Sequence, residues 1–323
     1  MYDRRDHIKP VIFGVEGKEL TSAEMEFFGT HNPLGFILFS RNIDNPEQLR
    51  RLVMQVKATV FPRNDVLVMI DQEGGRVARL KPPYWPEMPP ARDFGKLIAF
   101  ETLNRTRKSV YNNYRLCSYE LRKLGINVDC APLIDVLFEG SDDIIGDRAF
   151  SADPYEVSEL GKEVCKAMLM GNVFPVIKHI PGHGRGNVDS HKALPVVNAT
   201  LEELRAKDFI PFKEMANMPF AMTAHIKYTA IDDKNCATQS KKVIDLIRNE
   251  IGFKGILFSD DLSMEALEGG MKERAQRSLA AGCDALIHCN GKMDEMVEIA
   301  ASIESWPKET RERFRDCWKH LRY

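Results

Sequence analysis

The chain has 323 residues with 45 Lys+Arg against 47 Asp+Glu, a formal net charge of -2. That balance excludes the global positive field of a nucleic-acid or anionic-membrane binder, and 44% hydrophobic with 28% charged residues excludes a disordered or fibrous chain. The length suits either two domains or one large α/β barrel.

The start, from Met1 to His7, is charged and leads into no apolar signal core, and no stretch approaches the ~18 apolar residues of a membrane span. Apolar runs rich in β-branched and aromatic residues occupy 11–17, 34–40, 65–73, 127–136, 173–180, 220–228, 255–262 and 285–291. Most are nearly continuous, as in Val66-Leu67-Val68-Met69-Ile70, which is the pattern of strands covered on both faces. Segments with apolar residues three or four apart follow them at 21–29, 46–61, 103–124, 153–170, 201–215, 240–251, 264–281 and 292–303. Eight βα units predict a single (β/α)8 TIM barrel, one α/β domain over 1–323. The alternative, a doubly wound sheet with a second domain, lacks a Gly-rich dinucleotide fingerprint after the first strand and a linker-like shift in composition.

Two loops exceed what the fold needs. One follows strand three and carries Pro82, Pro83, Pro86, Pro89 and Pro90 around Tyr84 and Trp85. The other follows strand five and runs Pro181-Gly182-His183-Gly184-Arg185-Gly186-Asn187-Val188-Asp189-Ser190-His191. Seven cysteines, at 117, 130, 165, 236, 283, 289 and 317, are odd in number and form no C-x-x-C, so reduced core thiols and a cytoplasmic location are expected. The basic residues of 307–323 are interleaved with Glu309, Glu312 and Asp316, which reads as an ordinary solvated helix.

Residues at the C-terminal ends of barrel strands converge on one face. Here they are Asp71-Gln72-Glu73-Gly74-Gly75-Arg76, Asp135, Lys178-His179, His225 and Asp260-Asp261, with Ile145-Gly146-Asp147-Arg148 following strand four. Charges rarely cluster without partners, so a charged or polyhydroxylated ligand is implied. Each also has a bland reading. Asp71 and Arg76 suit a rim ion pair, Asp135 a cap, His225 a hydrogen-bonded rim histidine and Arg148 the surface. A regular strand through Asp260-Asp261 lets only one of them point inward, leaving the other to cap the element near Ser263. The loop after strand five resists such a reading, because Lys178, His179, His183, Asp189 and His191 fall within fourteen residues on a Gly-rich stretch. In Asp189-Ser190-His191 the i,i+2 spacing lets a carboxylate fix an imidazole tautomer and raise its pKa toward neutrality, as acid/base work requires.

Lys178-His179-Ile180-Pro181-Gly182-His183-Gly184 followed by Asp189-Ser190-His191 resembles the signature loop of family 3 glycoside hydrolases of the β-N-acetylglucosaminidase type. Asp71-Gln72-Glu73-Gly74-Gly75-Arg76-Val77, Ile145-Gly146-Asp147-Arg148 and Phe258-Ser259-Asp260-Asp261-Leu262-Ser263-Met264 match further blocks in the same order. The resemblance covers roughly residues 10–300, and its nearest type is the cytosolic exo-enzyme of peptidoglycan recycling. It implies Asp260 as nucleophile, His191 as acid/base supported by Asp189, and sugar contacts from Asp71, Arg79, Arg148, Lys178 and His179, with His225 lining the site. It implies a carbohydrate substrate, an N-acetylglucosamine-containing muropeptide; a monomer with no cofactor or metal is expected, and the charge balance and the lack of an apolar span leave no nucleic-acid or membrane partner expected.

The implied reaction is a retaining double displacement. Rival readings are β-glucosidase or phosphorylase activity within the family, a metal-dependent barrel hydrolase built on His179, His183, His191 and His225, a Schiff-base lyase on Lys178, and a noncatalytic sugar-binding module. Substrate assistance would call for an adjacent Asp-Glu pair, and the only one, Asp294-Glu295, falls on a helix after strand eight.

Overall fold

The computed structural model describes residues 7–140, 143–186, 188–190 and 193–321. Eight parallel strands close into a barrel: β1 Lys9–Gly14, β2 Pro33–Leu38, β3 Leu67–Ile70, β4 Val128–Asp129, β5 Phe174–Ile180, β6 Phe220–Thr223, β7 Ile256–Asp261 and β8 Ala285–His288. Each pairs with its neighbours in chain order, and β1 closes on β8 through Val11↔Leu286 and Phe13↔His288. The fold is thus the expected (β/α)8 barrel.

Period-two alternation sorts the strand residues into two cores. Ile12, Met69, Val176, Phe220, Phe258 and Ile287 fill the barrel interior. Their neighbours Val11, Val68, Ile177, Ala221, Leu257 and Leu286 pack outward beneath the helices. Helix starts follow from local chemistry. Thr21 and Glu24 form a reciprocal capping box before Ser22–His31, and Asp153 caps Pro154–Met170, which has Pro at its first turn.

Several elements differ from their sequence expectation. The fourth strand is two residues long plus a bridge from Leu133 to Lys178, because Pro132 cannot donate to the ladder. The sixth strand stops at Thr223, and Lys227–Tyr228 pairs instead with Val196–Val197 in a separate ribbon. The seventh helix begins at Met271 rather than 264, since Gly269, at φ +83°, and Gly270 break the pattern before it. The segment after 307 is only half a solvated helix. Lys308–Cys317 turns its charges outward but buries Phe314 and Cys317, and with Trp306, Trp318 and Leu321 it seals the N-terminal end of the barrel. Six cysteines are buried and Cys289 is partly exposed. No helix among the described residues is long and apolar enough to cross a membrane.

Candidate active site

A cleft opens at the C-terminal end of the strands. Asp71, Arg79, Arg148, Lys178, His179 and Asp260 all line it, so six residues proposed for substrate or catalysis from five segments of the chain meet in one place. Asp189 is partly buried. His191 lies outside the described residues.

The β3 end is built as a tight hairpin. Gln72–Gly74 pairs antiparallel with Val77–Ala78. Gly74, at φ +103°, passes so close to Pro89 that a Cβ would sit 2.3 Å from its carbonyl oxygen. The buried Gln72 amide oxygen accepts from the backbone N–H groups of Arg79 and Leu80, both at 2.9 Å. That return places the Arg79 guanidinium 3.1 Å from the Asp71 carboxylate and over the Phe39 ring at 5.3 Å. Asp71 therefore pairs with Arg79 rather than with Arg76. Arg76 bonds Asp147 at 2.8 Å and the carbonyls of Asp143 and Ile144, pinning the segment that carries Arg148.

Glu73 is the hub of the charged wall. Its carboxylate receives two bonds from Arg148, at 2.7 and 2.8 Å, and one from Lys178 Nζ at 2.6 Å. Lys178 also reaches Asp71 at 3.0 Å. Burial pushes the Glu73 carboxyl up, but Arg148 and Lys178 outweigh it and hold it well below the usual range. Asp71 is likewise lowered against its burial by Lys178 and Arg79. Lys178 and Arg148 are raised in turn, since the carboxylates outweigh desolvation. All four are ionised, a fully paired arrangement that a buried cluster requires. Glu73 stands in the Asp71–Val77 motif, which by itself gives it no role. The signal was the i,i+2 spacing from Asp71, which puts both carboxylates on one side of a short extended run.

Two irregularities in strand pairing deliver the remaining groups. The β5–β6 register shifts between Lys178 and Ile180, and consecutive side chains, Lys178 and His179, both reach the cleft. The β7–β8 register shifts between Phe258 and Asp261, so Asp260 and Asp261 both line it as well, unlike a regular strand. They are not equivalent. Asp261 accepts from the Ser263 N–H at 3.0 Å, the Ser263 hydroxyl at 2.5 Å and the Cys289 N–H at 3.0 Å, which makes it a turn-former. Asp260 accepts from the Asp261 N–H at 2.8 Å.

Asp135, read as a possible cap, instead lies wholly buried beneath the loop after β5. It accepts from His179 Nδ1 at 2.8 Å, the His179 N–H at 3.2 Å and the His183 N–H at 2.6 Å. Gly184 permits this packing, since a Cβ there would stand 1.8 Å from the Val136 carbonyl oxygen. His183 lines the cleft, and burial lowers its pKa to about 4, keeping it neutral. Arg185 pairs with Asp208 at 2.9 Å and lies 4.0 Å over the Phe138 ring, tethering the loop's far side. His225 is absent from the cleft lining. It is wholly buried, with Nδ1 2.7 Å from the Thr238 hydroxyl and Nε2 3.0 Å from the Asp261 carbonyl, behind the end of β7. Among the described residues no three His, Cys, Asp or Glu side chains form a metal-binding group.

Residues 16–321 match the glycosyl hydrolase family 3 N terminal domain. A β-hexosaminidase of Idiomarina loihiensis is 32% identical over 308 residues, 94% of this chain and 90% of that protein. One of Methylococcus capsulatus is 36% identical over 283 residues, 86% and 82% of the two chains. Native NagZ from Neisseria gonorrhoeae superimposes with a TM-score of 0.88 at 32% identity, covering 98% of this chain and 90% of its own. The same enzyme in complex with N-trifluoroacetyl-D-glucosamine gives 0.88 over 97% and 90%. Barrel, charged cleft and relatives agree: the chain belongs to glycosyl hydrolase family 3 and is a glycoside hydrolase of the β-hexosaminidase type.

Proposed function

We propose that the chain, as one catalytic domain over 1–323, is a retaining exo-β-N-acetylglucosaminidase that removes terminal β-linked N-acetylglucosamine from peptidoglycan-derived muropeptides, acting in the cytoplasm as a monomer. The observation that carries this reading is the convergence of Asp260 with Asp71, Arg79, Arg148, Lys178 and His179 in one cleft. Fixed donors and acceptors on one wall suit a polyhydroxylated ring, and an anionic ligand would not need the Asp71 carboxylate. A relative in complex with N-trifluoroacetyl-D-glucosamine supports an N-acylated glucosamine as the sugar.

In the proposed mechanism Asp260 attacks the anomeric carbon while protonated His191, oriented by Asp189, gives its proton to the departing oxygen. The bond to the leaving group breaks as the glycosyl–Asp260 ester forms. Neutral His191 then takes a proton from water, whose oxygen attacks the same carbon and releases Asp260, with net retention. Asp71, Arg79, Arg148, Lys178 and His179 hold the sugar through both steps.

A panel of aryl β-glycosides tests the reading. The N-acetylglucosaminide is expected to be hydrolysed far faster than the glucoside, and a 2-fluoro sugar to label Asp260 in mass spectra. Preference for the glucoside, or label on another residue, would overturn it.

A further inference from the structure

Asp135 accepts from both the backbone and the ring of His179, and its geometry dictates where the ring proton sits. An ionised carboxylate can only accept, so the His179 Nδ1 atom 2.8 Å away carries the hydrogen. Burial would push the Asp135 carboxyl up, but His179 and His183 outweigh it and keep it ionised. Among the described residues the other ring nitrogen, Nε2, makes no hydrogen bond to the protein, while the ring itself lines the cleft. Beside it, Lys178 offers only donors, and Asp71 and Glu73 already take its ammonium.

We propose that Asp135 is a positioning residue that locks His179 in the Nδ1–H tautomer, so that Nε2 meets the bound sugar as a hydrogen-bond acceptor and one sugar hydroxyl is read by the hydrogen it donates. This rests on the cleft being the sugar site. The bland alternative is that Asp135 only ties down the Gly-rich loop, since two of its donors are backbone N–H groups. The two differ in polarity. In Asp135→Asn the amide oxygen still serves a backbone N–H, but the NH2 group turns toward Nδ1. The ring proton then moves to Nε2, and an acceptor facing the sugar becomes a donor.

Nitrogen-15 NMR of the histidine rings of the full-length protein, with His179 assigned by its loss in His179→Asn, reads the tautomer directly and without any turnover. The expected spectrum has hydrogen on Nδ1 in the wild type and on Nε2 in Asp135→Asn. Kinetics on aryl N-acetylglucosaminides carrying fluorine in place of the 3-, 4- or 6-hydroxyl then read its consequence, because fluorine accepts but does not donate. At one ring position the wild type should lose at least tenfold in kcat/KM on fluorination, and Asp135→Asn should show a penalty at least tenfold smaller there, though slower on the parent sugar. Wild-type hydrogen on Nε2 or on both nitrogens overturns the proposal. So does an Asp135→Asn enzyme that is slowed equally on every analogue. If that variant does not fold, the wild-type spectrum decides alone. If no aryl glycoside is cleaved, the functional reading fails while the tautomer stands or falls by its own spectrum.

Discussion

The barrel has a cavity at either end of its strands. The C-terminal one is walled by Asp71, Arg79, Arg148, Lys178, His179 and Asp260, and the N-terminal one by Ile8, Trp306, Phe314 and Trp318 with Arg311 and Arg315 at its edge. Their energetics differ. At the N-terminal end the aromatic plug removes apolar surface from water, with Phe314 packed 5.1 Å from Trp306 and Trp318 5.1 Å from Phe174, ring centroid to centroid. At the C-terminal end four interlocked charges have been desolvated, which stabilises little compared with a packed apolar core of the same volume. One end holds the barrel shut, and the other keeps paired charges in place for a ligand with little gain in stability.

The sharpest way to break this contrast is to exchange the expected phenotypes of the two ends. Asp260→Ala is expected to lower kcat by at least about a thousandfold, while the midpoint of urea unfolding stays the same or rises. Phe314→Ala is expected to do the reverse, costing about 3–5 kcal/mol of stability through the cavity it leaves, with KM and kcat close to wild type wherever the protein is folded. A Phe314→Ala enzyme with normal stability and altered kcat would erase the division of labour.

That division also explains which parts were legible in the sequence. Barrel strands such as 66–70 and 173–180 are apolar nearly throughout, because both faces are covered, and local composition therefore marks them. Charged strand ends stood out for the opposite reason, since Asp, Lys and His are out of place beside such runs. What composition does not encode is pairing. The partner of Asp71 is Arg79, returned by a hairpin that depends on Gln72 and two glycines, and the sequence equally allowed Arg76. The inward turn of both Asp260 and Asp261 comes from a register shift between strands distant in the chain, and Asp135 contacts residues 44 and 48 positions away. His225 follows a strand and so reads as lining the site, yet its ring lies behind the end of β7, against the Asp261 carbonyl.

Glu73 is the residue where the two kinds of energetics meet. Glu73→Ala would leave the buried Arg148 and Lys178 cations short of their shared acceptor, a change that costs about 3–5 kcal/mol for a buried pair. Stability and activity should therefore fall together, with KM rising because Arg148 and Lys178 lose their alignment. The comparison with Asp260→Ala is the informative one. If Glu73→Ala unfolds no more easily than wild type, the wall is not a desolvated network, and the contrast between the ends weakens.

The smallest effect concerns Asp129, at the inner edge of the same wall. Burial raises its carboxyl to about 7, even though the Gln72 N–H and the Lys178 ammonium favour the anion. A folded-state value above the ordinary one means that the native protein holds a proton the unfolded chain has released. The stability it contributes is fully present below about pH 4 and is lost as pH rises toward 7, by up to about 4 kcal/mol. Other groups tilt the same window. Asp208, raised by burial to about 6, acts with it, and His183, lowered by burial to about 4, acts against it because the unfolded chain then binds the extra proton. Glu73 and Asp71 are lowered instead, so their contribution is present above the ordinary carboxyl range and lost below it, outside this window. Urea unfolding of wild type alone therefore mixes these slopes, whereas wild type minus Asp129→Asn isolates one. Asparagine keeps the acceptor for the Gln72 N–H at 2.9 Å and turns its amide toward the Cys117 sulfur, 3.8 Å from the carboxylate. The difference in unfolding free energy should fall steadily from pH 4 to 7, and a flat difference would mean that Asp129 is ionised beside Asp71 and Glu73, with the wall carrying one more negative charge than its cations balance.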